Sequence, residues 1–271
     1  MCSLPVPREP LRRVAVTGGT HGNEMCGVHL VRHWLQTPGE LQRPSFSAMP
    51  VLANPAATAA CRRYIDRDLN RTFTLTFLKG LPPAGTPDSL ELSNQGRELQ
   101  NPGLSCHFLQ YDPAGTGSYS LESVSKNGIC LEMGPQPQGV LRADLFSRMR
   151  ALVASILDFI ELFNQGMAFP AFEMDIYRTV DSVDFPRTAD GDLAGTVHPQ
   201  LQDHDFEPLR PGEPIFKLFS GEDVLYEGNS IVYPVFINEA AYYEKHVAFL
   251  KTEKIRVSVP ALPEITSTLV P

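Results

Sequence analysis

Two neighbouring glycines near the start of the chain separate a β-branched run from a helical repeat, and this switch fixes the class of fold. Arg13-Val14-Ala15-Val16-Thr17 stops at Gly18-Gly19, and from about Glu24 to Gln36 the apolar residues Val28, Leu30, Val31, Trp34 and Leu35 recur at helical spacing. The pattern reads as strand, tight loop, helix. A second apolar run, Met49 to Ala53, ends at Asn54-Pro55 and gives another strand, followed by a short helical stretch up to Arg63. Strands alternating with helices predict an α/β domain built on a mostly parallel or mixed sheet.

Further along, Asp88 to Gln100 reads as a helix, while Cys106 to Tyr111 and Ile129 to Met133 read as strands. A long amphipathic pattern from Val140 to Phe163 ends at Gly166, with Pro170 beyond, and closes the first domain. After it, Ile215–Phe219, Val224–Tyr226 and Ile231–Ile237 are short runs at the spacing of an antiparallel β module. The boundary falls near residue 166, giving domains 1–165 and 166–271, the second smaller and β-rich.

The chain has 271 residues, of which 42% are hydrophobic and 20% charged, enough apolar material for one large or two modest cores. A net charge of -8 argues against nucleic acid or an anionic membrane as partner, since both need clustered Lys and Arg. A small molecule fits better. No apolar run is long enough to span a bilayer, and the first residues lack an apolar signal core, so a cytosolic location is expected. Five scattered cysteines without a Cys-x-x-Cys pair agree with reduced thiols.

His21 and Glu24 lie three apart on the loop leaving the first strand, at the sheet edge where α/β proteins bind ligands, and such a pair can converge on one metal ion. Glycines on both sides would let the backbone wrap closely around that ion. A phosphate loop is the competing reading, but neither G-x-G-x-x-G nor G-K-[ST] is present. Between Arg63 and Arg71, three arginines, an asparagine and two aspartates fall within nine positions. This suits bidentate capture of a carboxylate, or else a solvated turn with surface ion pairs. Glu132, at the end of the apolar run from Ile129, is either a buried general base or an edge-strand surface residue.

In chain order the blocks G-G-T-H-G-N-E, N-P, R-Y-I-D-x-D-L-N-R, L-E-x-G-P-Q-P-Q-G-V-L-R-A-D and Y-P-V-F-I-N-E-A-A-Y-Y-E-K cover nearly the whole chain from Val14 to Lys254. Together they resemble the aspartoacylase family with its aminoacylase III branch, within the wider zinc carboxypeptidase-like group. The resemblance implies a zinc carboxypeptidase-like α/β domain, a β-rich domain narrowing the entrance, and a homo-oligomeric amidohydrolase that deacylates N-acyl amino acids. It implies zinc ligated by His21 and Glu24, and Arg63 steadying the substrate carbonyl. Asn70 and Arg71 would hold the α-carboxylate, with Asp68 supporting them. Glu132 would act as general base, and Tyr242 beside Glu239 would reach in from the second domain.

Two departures from the family pattern stand out. Aspartoacylase carries an arginine ten residues before the catalytic glutamate, to pair with an aspartate side chain; that position here is Glu122. An acidic residue would repel a second carboxylate, which favours N-acyl aromatic amino acids and N-acetylcysteine conjugates as substrates. The third zinc ligand of the family is a histidine in an F-D-x-x-x-D-L-H-N-T segment, and no such segment is present. Sixty residues separate Arg71 from Glu132, with His107 the one histidine among them, and a strand and a helix look cut out near residues 100–101. His107 is the candidate replacement ligand, carried to the metal if Cys106–Tyr111 moves into the sheet in place of the lost strand. The rival reading is a non-catalytic shortened form that binds partners or co-assembles with full-length subunits. A zinc carboxypeptidase is the third.

Overall fold

The computed structural model describes residues 9–73, 107–110, 120–121, 125 and 127–262. The expected helix over Asp88–Gln100 and the position of Glu122 lie outside them. The chain divides into two units: residues 1–100, 118–172 and 259–271 form the first, and residues 101–117 and 173–258 the second.

In the first unit, β1 (Arg13–Gly18) and β2 (Ser47–Leu52) pair in parallel, from Arg13 opposite Ser47 to Gly18 opposite Leu52. A parallel pair needs a crossover, and α1 (Met25–Gln36) supplies it. The apolar stripe of α1, Leu30, Val31 and Trp34, packs with Val14, Val16, Ala48 and Leu52 of the strands. The long helix α3 (Ala143–Asn164) adds Val153 and Leu157 to this core. The short α2 (Pro55–Ala59) starts with Pro55 in its first turn and with Asn54 as cap, whose side chain accepts from the Ala57 N–H.

Two strands expected from apolar runs differ. Ile129–Met133 forms no strand; Leu131 packs into the first core instead, which is what the apolar signal reflects. Cys106–Tyr111 contributes only β3 (Leu109–Gln110), and this pairs in parallel with β4 (Phe172–Asp184) at Tyr177 and Arg178.

The second unit carries a sheet in the order β3-β4-β9-β8, with β8 (Tyr233–Val235) antiparallel to β9 (Val247–Val259). A three-stranded antiparallel sheet of β5 (Gly195–Val197), β6 (Pro214–Leu218) and β7 (Asp223–Leu225) accompanies it. Phe216, Phe249, Val232 and Ile237 are the centre of its core. Past β9 the chain is back in the first unit, where Leu262 and Phe169 exchange both backbone hydrogen bonds at 2.8 Å.

Candidate metal and carboxylate site

The loop after β1 is pressed between two helices, and its glycines exist for that purpose. A Cβ on Gly18 would lie 2.4 Å from the Gly27 carbonyl of α1, and one on Gly22 would lie 2.0 Å from the Ala57 backbone of α2. Gly19 adopts φ +69°, which a larger residue would resist. Close helix packing therefore requires glycine at these positions, whatever the loop holds. The Gly22 N–H donates to the Arg63 carbonyl at 3.2 Å, which ties the His21 loop to the arginine-rich segment.

His21 is 5% exposed. Its Nδ1 lies 2.5 Å from Glu24 Oε1 and its Nε2 3.0 Å from Asp68 Oδ1. Burial lowers the affinity of the ring for a proton, but the hydrogen bonds to Asp68 and Glu24 outweigh it and leave the His21 pKa raised. Asp68 is subject to the opposite balance. Burial pushes its carboxyl up, yet the His21 ring, the Arg63 guanidinium and the Asn70 N–H together hold it below its ordinary value. Arg63 Nη2 donates to Asp68 at 3.3 Å while its Nη1 lies 3.7 Å from Glu24, and its Nε is buried with no hydrogen-bond partner among the described residues.

Asp68 also shapes the next turn. Its side chain accepts the Asn70 N–H at 2.9 Å and so caps the single 3-10 turn Leu69–Arg71. Asn70 Oδ1 accepts from the Leu121 N–H at 3.3 Å, and Arg71 Nη1 donates to the Asn70 carbonyl at 2.7 Å. His21, Glu24, Arg63 and Asp68, from two motifs about forty residues apart, thus form one network, with Asn70 and Arg71 on the turn behind it.

Glu132 sits next to core-packed Leu131 and is exposed, with Cys130 Sγ 3.5 Å from its Oε1. Of the two expectations, buried general base or edge-strand surface residue, the exposure agrees with a surface position, although the segment forms no strand among the described residues. Tyr242 lies in the second unit on the turn Ala240–Lys245, edge-on to Phe236. His107 is also in the second unit, stacked on Phe206 at 4.3 Å and set against the edge of Tyr177. The expected inward move of its strand is therefore not what the structure has.

Sequence reasoning missed the residues that fasten this loop. Asn23, 6% exposed, donates its side-chain amide to Gln138 at 2.9 Å, and its carbonyl accepts the Gly139 N–H at 2.9 Å. Cys26 Sγ lies 3.3 Å from Gln136 Oε1. The two glutamines of Pro135-Gln136-Pro137-Gln138 stand at alternate positions, a spacing that puts both on one face of an extended segment, and that was the available signal.

The model of the succinylglutamate desuccinylase/aspartoacylase catalytic domain matches residues 10–95 and 92–160, and that of the AstE/AspA barrel-sandwich hybrid domain matches 172–254. The chain belongs to the succinylglutamate desuccinylase/aspartoacylase family. It is 70% identical to the mouse N-acyl-aromatic-L-amino acid amidohydrolase (carboxylate-forming) and 60% identical to the human one, in each case over 98% of both chains. The mouse aspartoacylase is 39% identical over 95% of this chain and 97% of its own. The crystal structure of murine aminoacylase 3 superposes with a TM-score of 0.86 at 69% identity, covering 95% of this chain and all of that one. Succinylglutamate desuccinylase from Vibrio cholerae, at 14% identity and a TM-score of 0.54 over 94% of this chain and 88% of its own, shares the fold. The scaffold is thus that of a family of amide-cleaving enzymes, as the motif blocks implied.

The donor chemistry at His21 suits a zinc ion in part. An imidazole with one nitrogen held by a carboxylate, as Asp68 holds Nε2, is how proteins orient a metal-binding histidine; the other nitrogen lies against Glu24. Among the described residues no group of three His, Cys, Asp or Glu side chains converges to complete such a site.

Proposed function

We propose that this chain is an amidohydrolase scaffold for N-acyl aromatic amino acids, with zinc drawn to His21 and Glu24 and slow turnover in the 271-residue form. The reading is supported above all by the network that joins His21, Glu24, Arg63 and Asp68 in a chain 60–70% identical to named N-acyl-aromatic-L-amino acid amidohydrolases. Zinc bound there supplies a Lewis acid and a more acidic water.

The protein groups then have distinct tasks. Arg71 and Asn70 grip the α-carboxylate, the guanidinium by paired N–H donors. Arg63 faces the amide carbonyl oxygen and stabilises the negative charge that grows on it as water adds to the carbon. Glu132 takes the proton from the attacking water and delivers it to the leaving nitrogen, so the C–N bond breaks to a carboxylate and an amine. Tyr242 is assigned to substrate binding by the family resemblance, and Glu122 disfavours a second carboxylate on the amino acid. N-acetylcysteine conjugates fit the same preference. We place the protein in the cytoplasm as a homo-oligomer; no described helix is long and apolar enough to cross a membrane.

The test is hydrolysis of N-acetyl-L-tyrosine and N-acetyl-L-aspartate by the purified chain with and without added zinc. Slow cleavage that needs added zinc and prefers the tyrosine substrate is expected, and Glu122→Arg should narrow the gap. Equal rates on both substrates would overturn the assignment. One observation favours a second reading, a form that binds or co-assembles without turnover: the 311-position alignment with the mouse relative exceeds this chain by 40 positions. Turnover in excess added zinc separates the two.

A further inference from the structure

We infer that the residues of the 271-residue chain do not make a complete zinc site: Glu24 and Asp68 meet the two ring nitrogens of His21, and no third ligand joins them among the described residues. The inference rests on the reading of His21 and Glu24 as the zinc-facing pair, and asks what that pair does in this form.

Distance is the first argument. Two ligands of one tetrahedral zinc, with Zn–N and Zn–O near 2.1 Å, stand about 3.4 Å apart. His21 Nδ1 and Glu24 Oε1 are 2.5 Å apart. At that separation they are hydrogen-bonded to each other and leave no position between them for an ion. With Nε2 held by Asp68 at 3.0 Å, both nitrogens of the ring are occupied.

The neighbouring charge closes the site further. Arg63 reaches both carboxylates, through Nη2 to Asp68 and Nη1 to Glu24, so a guanidinium already supplies positive charge to the oxygens a dication would need. An entering zinc ion must part Glu24 from His21 beside that guanidinium. The contacts of Asp68 with His21 and Arg63 are buried or half-buried, where a lost partner costs more than at the surface, while Glu24 is exposed.

The donor set is also one ligand short. Catalytic zinc uses three protein ligands, and the sequence holds one histidine between Arg71 and Glu132, namely His107. Its ring is committed to Phe206 and Tyr177, and its strand to β4. The family model matches the catalytic region in two pieces that meet at residues 92–95, and the alignments with the mouse and human relatives are 311 and 315 positions long against 271 residues here. Both observations point to an internal stretch that the relatives have and this chain lacks, in the interval where the third ligand would fall. Two ligands fall short of the three that catalytic zinc uses, so a weak metal site is expected.

The experiment is zinc analysis of the full chain, expressed with zinc in the medium and passed through gel filtration. Far less than one zinc per chain is expected. His21→Ala should leave that content unchanged, and one equivalent of zinc or excess EDTA should leave the melting temperature unchanged. Cobalt added in place of zinc should give none of the visible absorption of a four-coordinate site. One zinc per chain, lost in His21→Ala, overturns the inference and leaves the proposed function standing. Should His21→Ala fail to fold, Glu24→Gln, which keeps the size and an oxygen acceptor, gives the same comparison. A zinc-free chain whose melting temperature responds to neither N-acetyl-L-tyrosine nor N-acetyl-L-aspartate sinks the proposed function but not this inference.

Discussion

Asn23 and Gln138 are joined side chain to side chain across 2.9 Å, and the Gly139 N–H closes on the Asn23 carbonyl at the same distance. Asn23 stands between His21 and Glu24 in sequence, so this pair holds the loop from its far side. Gln138→Met keeps the length but removes the acceptor, and should lower stability by about 1 kcal/mol, the usual worth of such a bond. Gln138→Glu keeps an acceptor oxygen and should recover most of the loss. Urea denaturation of the three proteins decides it; identical midpoints for wild type and Gln138→Met would show that the bond holds nothing.

Gly22 carries a sharper constraint. An added Cβ would fall within 2.4 Å of three Ala57–Thr58 backbone atoms, and a backbone cannot rotate away as a side chain can. Gly22→Ala should force α2 from the His21 loop at a cost of roughly 1–3 kcal/mol or more, as overpacking does. Gly39→Ala, where nothing lies within 4 Å of the new atom, is the matched control. Equal melting temperatures for the two variants would refute the packing argument.

Glu40, on the 3-10 turn Pro38–Leu41 that follows α1, links pH to the contact with α3. Arg150 grips both carboxylate oxygens at 2.6 Å, which, with a smaller contribution from His33, holds the Glu40 pKa at about 2 against an ordinary 4.5. A lowered carboxyl pKa stabilises the folded state above about 4.5, and that contribution is lost as pH falls toward 2. The stability gap between wild type and Arg150→Gln should be constant above pH 4.5 and close below it. A gap independent of pH down to 2 would place the effect of Arg150 elsewhere.

Asp205 has the opposite sign. Burial raises its carboxyl pKa above the ordinary 3.8, although the Ile237 N–H donates to it at 3.3 Å. The folded state then holds this proton more firmly than the unfolded one, so stability falls as pH rises through the folded value. Asp205→Asn keeps the oxygen and removes the charge, and should raise the melting temperature at pH 7 with the advantage shrinking toward pH 3.8. A lower melting temperature at pH 7 would mean that the charge itself is needed.

The parts legible in the sequence were those with a local period. α1 and α3 follow from apolar spacing within one element, and β1 and β2 from runs bounded by glycine and proline. β4 and β9, thirteen residues each, escaped notice because charged residues interrupt their apolar pattern. Those charges pair across the strands, Arg178 with Glu253, Lys251 with Asp181, Lys254 with Asp175 and Arg256 with Glu173, about seventy to eighty positions apart. Such complementarity cannot be seen until the strands are known to be neighbours. At the site, His21 with Glu24 and Arg63 with Asp68 were visible as two motifs, each local. Their union through the His21–Asp68 contact, and the fastening of Asn23 by Gln138, are products of the fold.

The backbone exchange between Phe169 and Leu262 sets an order of events during translation. Domains generally fold as they emerge, the first made being the first folded. Here residues 259–262 are synthesised only after all of 173–258, yet they belong to the first unit. The ribosome must therefore release the whole second unit before the first can close at Phe169. A stop codon anywhere in that interval would leave the earlier unit unfinished as well as shortening the later one, exposing an apolar edge to chaperones for as long as the nascent chain survives.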